Sequence, residues 1–455
     1  MKTRVSGAIL ALILVVAFSL APTAPAAAAT PPASVWVDDG FTSATPGWGV
    51  DHFAKIQDGI NAVASGGTVH VAAGTYTEQV VIDKTLTLSG AGATRTTLKG
   101  LASSTGFTLT LTGANALVDG LTVAKGFSKN SIGVSWGYQG SGATLQNCRV
   151  QGYITGVYLA SGITSATIRG CTITGNANGI LFENASGVSI TGNSIVDNDL
   201  ADSYWTGKVS AGIRVLASQA GTGNVIAFNS IYGNGTPRTG IDNNSTADFN
   251  AENNWWGCAA GPGHSGCDSA GSNVDFTPWL RAGPQSVATD SGANPSATTG
   301  GVKANATGTG TLFVAQYASN PGGTATFGGV LGYYDVHISG TFTQVDIQFC
   351  GLSSGLNTAY FWTGQAWVRA SNQSFNPSTG CLQVTVTGST TPSLTDLAGA
   401  VFAVSQVTFA DVPSSYWAAD WINRLYSAGF TAGCGTSPLT YCPDNPVTRA
   451  EMAVF

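Results

Sequence analysis

Four stretches decide the architecture: GVSWGYQGSGATLQNCRVQG (133–152), GVYLASGITSATIRGCTITG (156–175), GILFENASGVSITGNSIVDN (179–198) and GIRVLASQAGTGNVIAFNSIYGN (212–234). Gly133, Gly156, Gly179, Gly212 and Gly240 each open a Gly-Val or Gly-Ile strand. A second aliphatic column runs Leu145, Ile168, Ile190, Ile226, and a third runs Val150, Ile173, Ile195, Ile231. Each unit therefore holds three short strands, none of which can bury its inner face alone. Stacking equivalent strands in parallel buries a continuous apolar shaft, with rungs about 4.8 Å apart. The expected fold class is mainly β: a right-handed parallel β-helix, its hand following the crossover rule, then a β-sandwich and a short helical segment. Turn residues form columns of their own: Cys148, Cys171, Asn193, Asn229, Asn254 in one and Asn176, Asn198, Asn234 in another. Stacked amides can hydrogen-bond along such a file.

Composition agrees. Of 455 residues 60 are Gly, and only 9% are charged, which suits strands and tight turns better than helices. With 18 Lys+Arg against 24 Asp+Glu there is no basic stripe for nucleic acid. Residues 1–29 read as a signal peptide: Lys2 and Arg4, an apolar run from Ala8 to Ala21, then Ala-rich sequence. That run is short of the roughly 20 residues a membrane span needs, and no later stretch could span, so a secreted protein is expected, not an integral membrane one. Export permits disulfides. The eight Cys fall by proximity into Cys148/Cys171, Cys258/Cys267, Cys350/Cys381 and Cys434/Cys442; for the first pair, two stacked free thiols are the alternative. With four His and no His cluster visible, no metal site and no cofactor is expected.

Phe53, Ile56, Ile60 and Val63 have helical spacing and predict a helix covering the open first coil. Within the Gly-Val/Ile strands the next residue points outward, giving Ser135, Tyr158, Leu181, Arg214, Asp242; the insertion beside them carries Asp199, Asp202, Tyr204, Trp205 and Lys208. Tyr158, Trp205, Lys208, Arg214 and Asp242 are the candidate glycan groove, with Trp205 stacking on a sugar and Arg214 meeting a uronate carboxylate. An ordinary solvated face is the alternative. No catalytic residues are assigned. Residues 30–281 are read as the β-helix, 282–302 as a small, polar, flexible linker, 303–405 as the β-sandwich and 406–455 as the helical segment. YFWTGQAWV (360–368) reads as a hairpin. Trp417, Trp421 and Leu425 recur every four residues and predict one apolar helix face ended by Gly429, with Thr448 and Glu451 capping a second helix.

Two resemblances follow. IQDGINAV (56–63), GTVHVAAGTYTEQVVIDKTLTLSG (67–90) and NNWWG (253–257) resemble the pectin-lyase-like β-helix superfamily, pectin methylesterases included. That implies the fold. The methylesterase motif G-Y-Q-D-T has only GYITG (152–156) as counterpart, with Thr155 in place of Asp, which argues against that activity. FADVPSSYWAADWINRLYSAGF (409–430) and VTRAEMA (447–453) resemble the S-layer homology motif. This resemblance implies non-covalent attachment to an anionic cell-wall polysaccharide through Arg449. Two function classes follow: a non-catalytic surface scaffold attached to the wall, or a wall-tethered polysaccharide lyase or glycoside hydrolase.

Overall fold

The computed structural model describes residues 30–101, 106–126, 132–137, 139–200, 210–216, 221–325, 327, 329–352, 356–399, 401–407, 409–413, 415–427, 430–436 and 438–446. The expected signal peptide lies outside them.

Three parallel sheets of nine, seven and eight strands wind along the first part of the chain. They are the three columns read from the sequence. Val134, Val157, Ile180, Ile213 and Ile241 face one another rung by rung. So do Leu145, Ile168, Ile190 and Ile226, and Val150, Ile173, Ile195 and Ile231. Their side chains fill one shaft. The recurring glycines have a steric cause. A Cβ on Gly156, Gly179 or Gly212 would lie 2.7, 2.5 and 2.7 Å from the carbonyl oxygen of the next glycine in the file, so only glycine lets successive coils approach this closely.

The polar columns are buried ladders. Asn176 Nδ2 donates to Asn198 Oδ1, Asn198 Nδ2 to Asn234 Oδ1, and Asn234 Nδ2 to Asp268 Oδ2, each at 2.9 Å. A chain of amides, each giving one proton upward, must end on a group that only accepts; Asp268, fully buried, is that group. It also takes the backbone N–H of Gly233 and Asn234. In the second ladder Asn193 donates to Asn229 and Asn229 to Asn254, which ends on the carbonyls of Ile226 and Ala251. Cys148 and Cys171 begin this ladder as buried free thiols, correcting the expected bridge. Each is engaged along the stack. The Cys148 N–H points at Cys171 Sγ (3.4 Å) and the Cys171 N–H at Asn193 Oδ1 (2.9 Å), so the thiols act as ladder members. Cys258–Cys267, Cys350–Cys381 and Cys434–Cys442 are bonded.

The expected helix is Ile56–Ala62. It lies across the first coil with Ile56 and Ile60 buried. The Glu78 carboxylate accepts from the N–H groups of Ile56 and Gln57, satisfying two orphan donors of its first turn. Trp256, also fully buried, packs at the other end against Phe276.

The segment read as a linker is instead strand, Pro284–Ala293 and Ser296–Thr299. These strands belong to a nine-stranded antiparallel sheet. Two long strands, Val302–Tyr317 and Val330–Phe349, run through it. Gly308, Gly310 and Gly340, at φ 141°, 154° and 139°, bend both. One half of Val330–Phe349 pairs with Cys381–Thr387 and the other with Val401–Val407. Both halves bury residues in a single core, Val345 and Ile347 from one and Tyr334 and Val336 from the other. The sandwich is therefore one sheet folded into two layers. The Leu356–Trp362 and Trp367–Arg369 strands form the predicted hairpin.

This sandwich packs directly on the β-helix. Phe228 stacks on Phe313 (centroids 5.1 Å apart), and His337 meets both rings edge-on. A Cβ on Gly192 would lie 2.9 Å from Val287 Cβ. Tyr317 OH donates to Asp335 Oδ2 at 2.9 Å in the same junction.

Near the C-terminus the helix is Ala419–Ser427. Phe409, Val412, Ala419 and Ile422 form its core. Trp417 and Trp421 are 85% and 63% exposed, so they do not make the buried face expected of them. Four-residue spacing is shared by Ala418, Ile422 and Tyr426, and this file packs inward instead. Asp411 accepts from the N–H groups of Tyr441 and Cys442, tying the loop before the helix to the bridged hairpin after it. Gly429, Thr448 and Glu451 lie outside the described residues.

Candidate functional site

The outward column is assembled as read: Ser135, Tyr158, Leu181, Arg214 and Asp242 occupy successive rungs. Its charges are largely spent on one another. Arg214 Nε lies 3.4 Å from Asp242 Oδ2, which also accepts from Asn244 Nδ2. Tyr158 OH donates to Glu183 Oε2. Burial, then the Glu183 hydrogen bond, pushes the Tyr158 phenol up to about 12, so it remains a neutral donor. Leu181 separates Tyr158 from Arg214. Asp199 accepts from the Thr236 hydroxyl. Trp205, Lys208, Asp202, Tyr204 and Arg449 lie outside the described residues.

A different face gathers unlike chemistry. On the Val150 sheet, Lys99, Ala124, Gln151 and Thr174 follow one another outward across four rungs. A cleft of about 360 Å³ is lined by Ala124, Lys125, Arg149, Gln151, Gly152, Thr174 and Gly175. Ala124, Gly152, Thr174 and Gly175 are small. Lys125 and Arg149 bring two cations to it, and no Asp or Glu is among these lining residues. Arg149 Nε donates to Gln151 Oε1 at 2.6 Å, which steadies the guanidinium while leaving its Nη donors for a ligand. Such a cleft suits a carboxylate or phosphate on a glycan. Sequence reasoning passed over it by following outward residues on one strand file only; the same alternation around Val150, Ile173 and Ile195 yields Arg149 and Gln151.

Residues 113–277 match the family described as Right handed beta helix region, and 408–453 match the S-layer homology domain. The chain is thus a right-handed parallel β-helix protein with an S-layer homology segment, which marks cell-surface, wall-associated proteins. No curated protein matches it significantly. Similar solved structures include the pectate lyase Pel9A (17% identity, TM-score 0.39, covering 55% of this chain and 80% of that one). Another is the A-module of mannuronan C-5 epimerase AlgE4 from Azotobacter vinelandii (21%, 0.34, 48% and 60%). A third is a pectin methylesterase from carrot (14%, 0.31, 47% and 63%). The chain spans under two thirds of the length of the last two. No helix among the described residues is long and apolar enough to cross a membrane.

Proposed function

We propose that this is a secreted protein held on the cell wall through its S-layer homology segment, with the β-helix serving as a non-catalytic scaffold that binds an anionic glycan. The observation that carries the glycan reading is the Lys125/Arg149 cleft, whose lining combines two cations with small residues and no carboxylate. Arg449 contributes to wall attachment, and Trp205 and Arg214 make a secondary contribution to glycan binding.

Retention of the full chain on purified sacculi and on immobilised oligogalacturonate tests this. Arg149→Ala should weaken oligogalacturonate binding about tenfold, the loss of one charge-assisted hydrogen-bonded contact. Arg449→Ala should lower sacculus retention without that effect. Trp205→Ala and Arg214→Ala should cost less than Arg149→Ala. Unchanged binding in Arg149→Ala removes the cleft from the reading. Release of unsaturated or reducing ends from a polyuronate would replace the scaffold with a lyase or hydrolase.

A further inference from the structure

A second cleft, with a different lining, opens on the first coils. The strands Ser34–Val37 and Thr68–Val71 repeat one pattern, valine in, ring out, valine in, and pair in register so that Trp36 faces His70. Trp36 also pairs with His52 on its other side. The three rings stack: Trp36 and His52 centroids are 5.5 Å apart at 18°, Trp36 and His70 5.6 Å apart at 24°. Phe41 leans on His52 at 5.0 Å. Two of the four His are therefore gathered in one place, although nothing in their sequence spacing shows it. The Asp51 carboxylate holds His52 Nδ1 at 2.8 Å.

The next rung after His70 is Ser89, too short to cover the outer face of the imidazole, and Gly90 follows it. A cleft of about 380 Å³ opens there, lined by Trp36, Asp38, Phe41, His70, Ser89 and Gly90 among others. Trp36 remains 42% exposed, although its two faces are occupied by the imidazoles. The cleft thus offers an uncovered ring face, an indole edge and one carboxylate. A flat apolar face bounded by hydroxyl-accepting groups fits a pyranose, which presents C–H groups on its faces and hydroxyls at its rim. A carboxylate accepts strongly from hydroxyls and ammonium groups and repels a uronate or phosphate.

We propose that the Trp36–His70 cleft is a binding site for a neutral or amino-bearing glycan. It lies on a different sheet from the Lys125/Arg149 cleft and is independent of the anionic-glycan reading, so either can fail alone.

Calorimetric titration of the full chain with chitohexaose, cellohexaose and hexagalacturonate tests it. Chitohexaose or cellohexaose should bind. His70→Ala should weaken that binding about tenfold, the size of a lost ring contact, and Asp38→Asn should weaken it comparably. Trp36→Phe, which keeps a ring between the imidazoles, should retain most of it. Trp36 and His70 are exposed, and Asp38→Asn keeps an acceptor for the Gly40 N–H, so thermal midpoints should stay near wild type; if His70→Ala does not fold, Asp38→Asn alone decides. The proposal is overturned if neither neutral hexamer binds, if their binding is unchanged in the folded variants, or if hexagalacturonate is the ligand lost in them.

Discussion

Replacing Asn198 by alanine should lower the stability of the β-helix by about 2 kcal/mol, since a buried group left without a partner costs about 1–3 kcal/mol. The Asn198 amide uses all four of its hydrogen-bonding positions. Oδ1 accepts from the backbone and side-chain amides of Asn176, and Nδ2 donates to the Ile173 carbonyl and to Asn234 Oδ1. Alanine leaves the Asn176 N–H orphaned in the shaft wall, whereas the Ile173 carbonyl loses its side-chain donor but stays within a strand paired on both sides. Asn234 Oδ1 keeps the Asn198 N–H, so the damage is confined to two levels. Asn61→Ala, which removes an exposed contact with Gln57, should cost well under 1 kcal/mol. Urea unfolding of the two variants checks the contrast; equal losses would mean that the ladder contributes no more than a surface contact.

The second large effect concerns the junction between β-helix and sandwich, where Asp335 is buried and His337, two residues along the same strand, is half-buried against Phe228 and Phe313. Burial pushes the Asp335 carboxyl up to about 7, with the Tyr317 hydroxyl working in the opposite direction. Burial of His337 among Phe228 and Phe313 pulls it down to about 4. In the unfolded chain these groups titrate at about 3.9 and about 6.5. Between pH 4 and 7 the folded protein keeps an Asp335 proton that the unfolded chain has released, so this group's stability is complete below about 4 and is lost as pH rises. For His337 the sign reverses: below about 6.5 the unfolded chain takes up a proton that the folded one does not, so stability is lost as pH falls towards 4. The two slopes oppose each other over the shared window, and the wild-type contribution should be nearly level from pH 4 to 6.5. Asp335→Asn preserves an acceptor for Tyr317 and removes one slope. Its stability should climb from pH 4 to 6.5 and exceed wild type by roughly 4 kcal/mol above pH 7. Unfolding measured at pH 5 and pH 8 decides this; a wild-type advantage at pH 8 would contradict it.

The β-helix was legible because its strongest constraint repeats. Gly156, Val157 and Asn176 recur at coil spacing, and each has one geometric cause: a close backbone approach, a shaft position, a ladder level. The thiols were harder. Cys148 and Cys171 fall on adjacent rungs whether bonded or not, and only the direction in which each sulfur points separates the two outcomes. The supposed linker misled for a physical reason. Val287 must sit against Gly192, and Pro284–Ala293 is edge strand, so small and polar residues there reflect tight packing and pairing, not freedom. Trp417 and Trp421 misled through periodicity, because two files of a short helix share the same spacing and only the packed partner chooses between them. The ring stack escaped because residues far apart in sequence meet through coil geometry; the paired V-W-V and V-H-V strands were its one visible trace.

The amide ladder also gives the β-helix a direction of growth. Every interior level both gives and receives a proton, so duplicating a coil such as 156–178 inserts a level that its neighbours meet as they meet one another now. Asp268 receives without giving, so no further amide level can be added beyond it in the same sense. Gene duplication could thus lengthen this rod from within, while its far end stays chemically sealed.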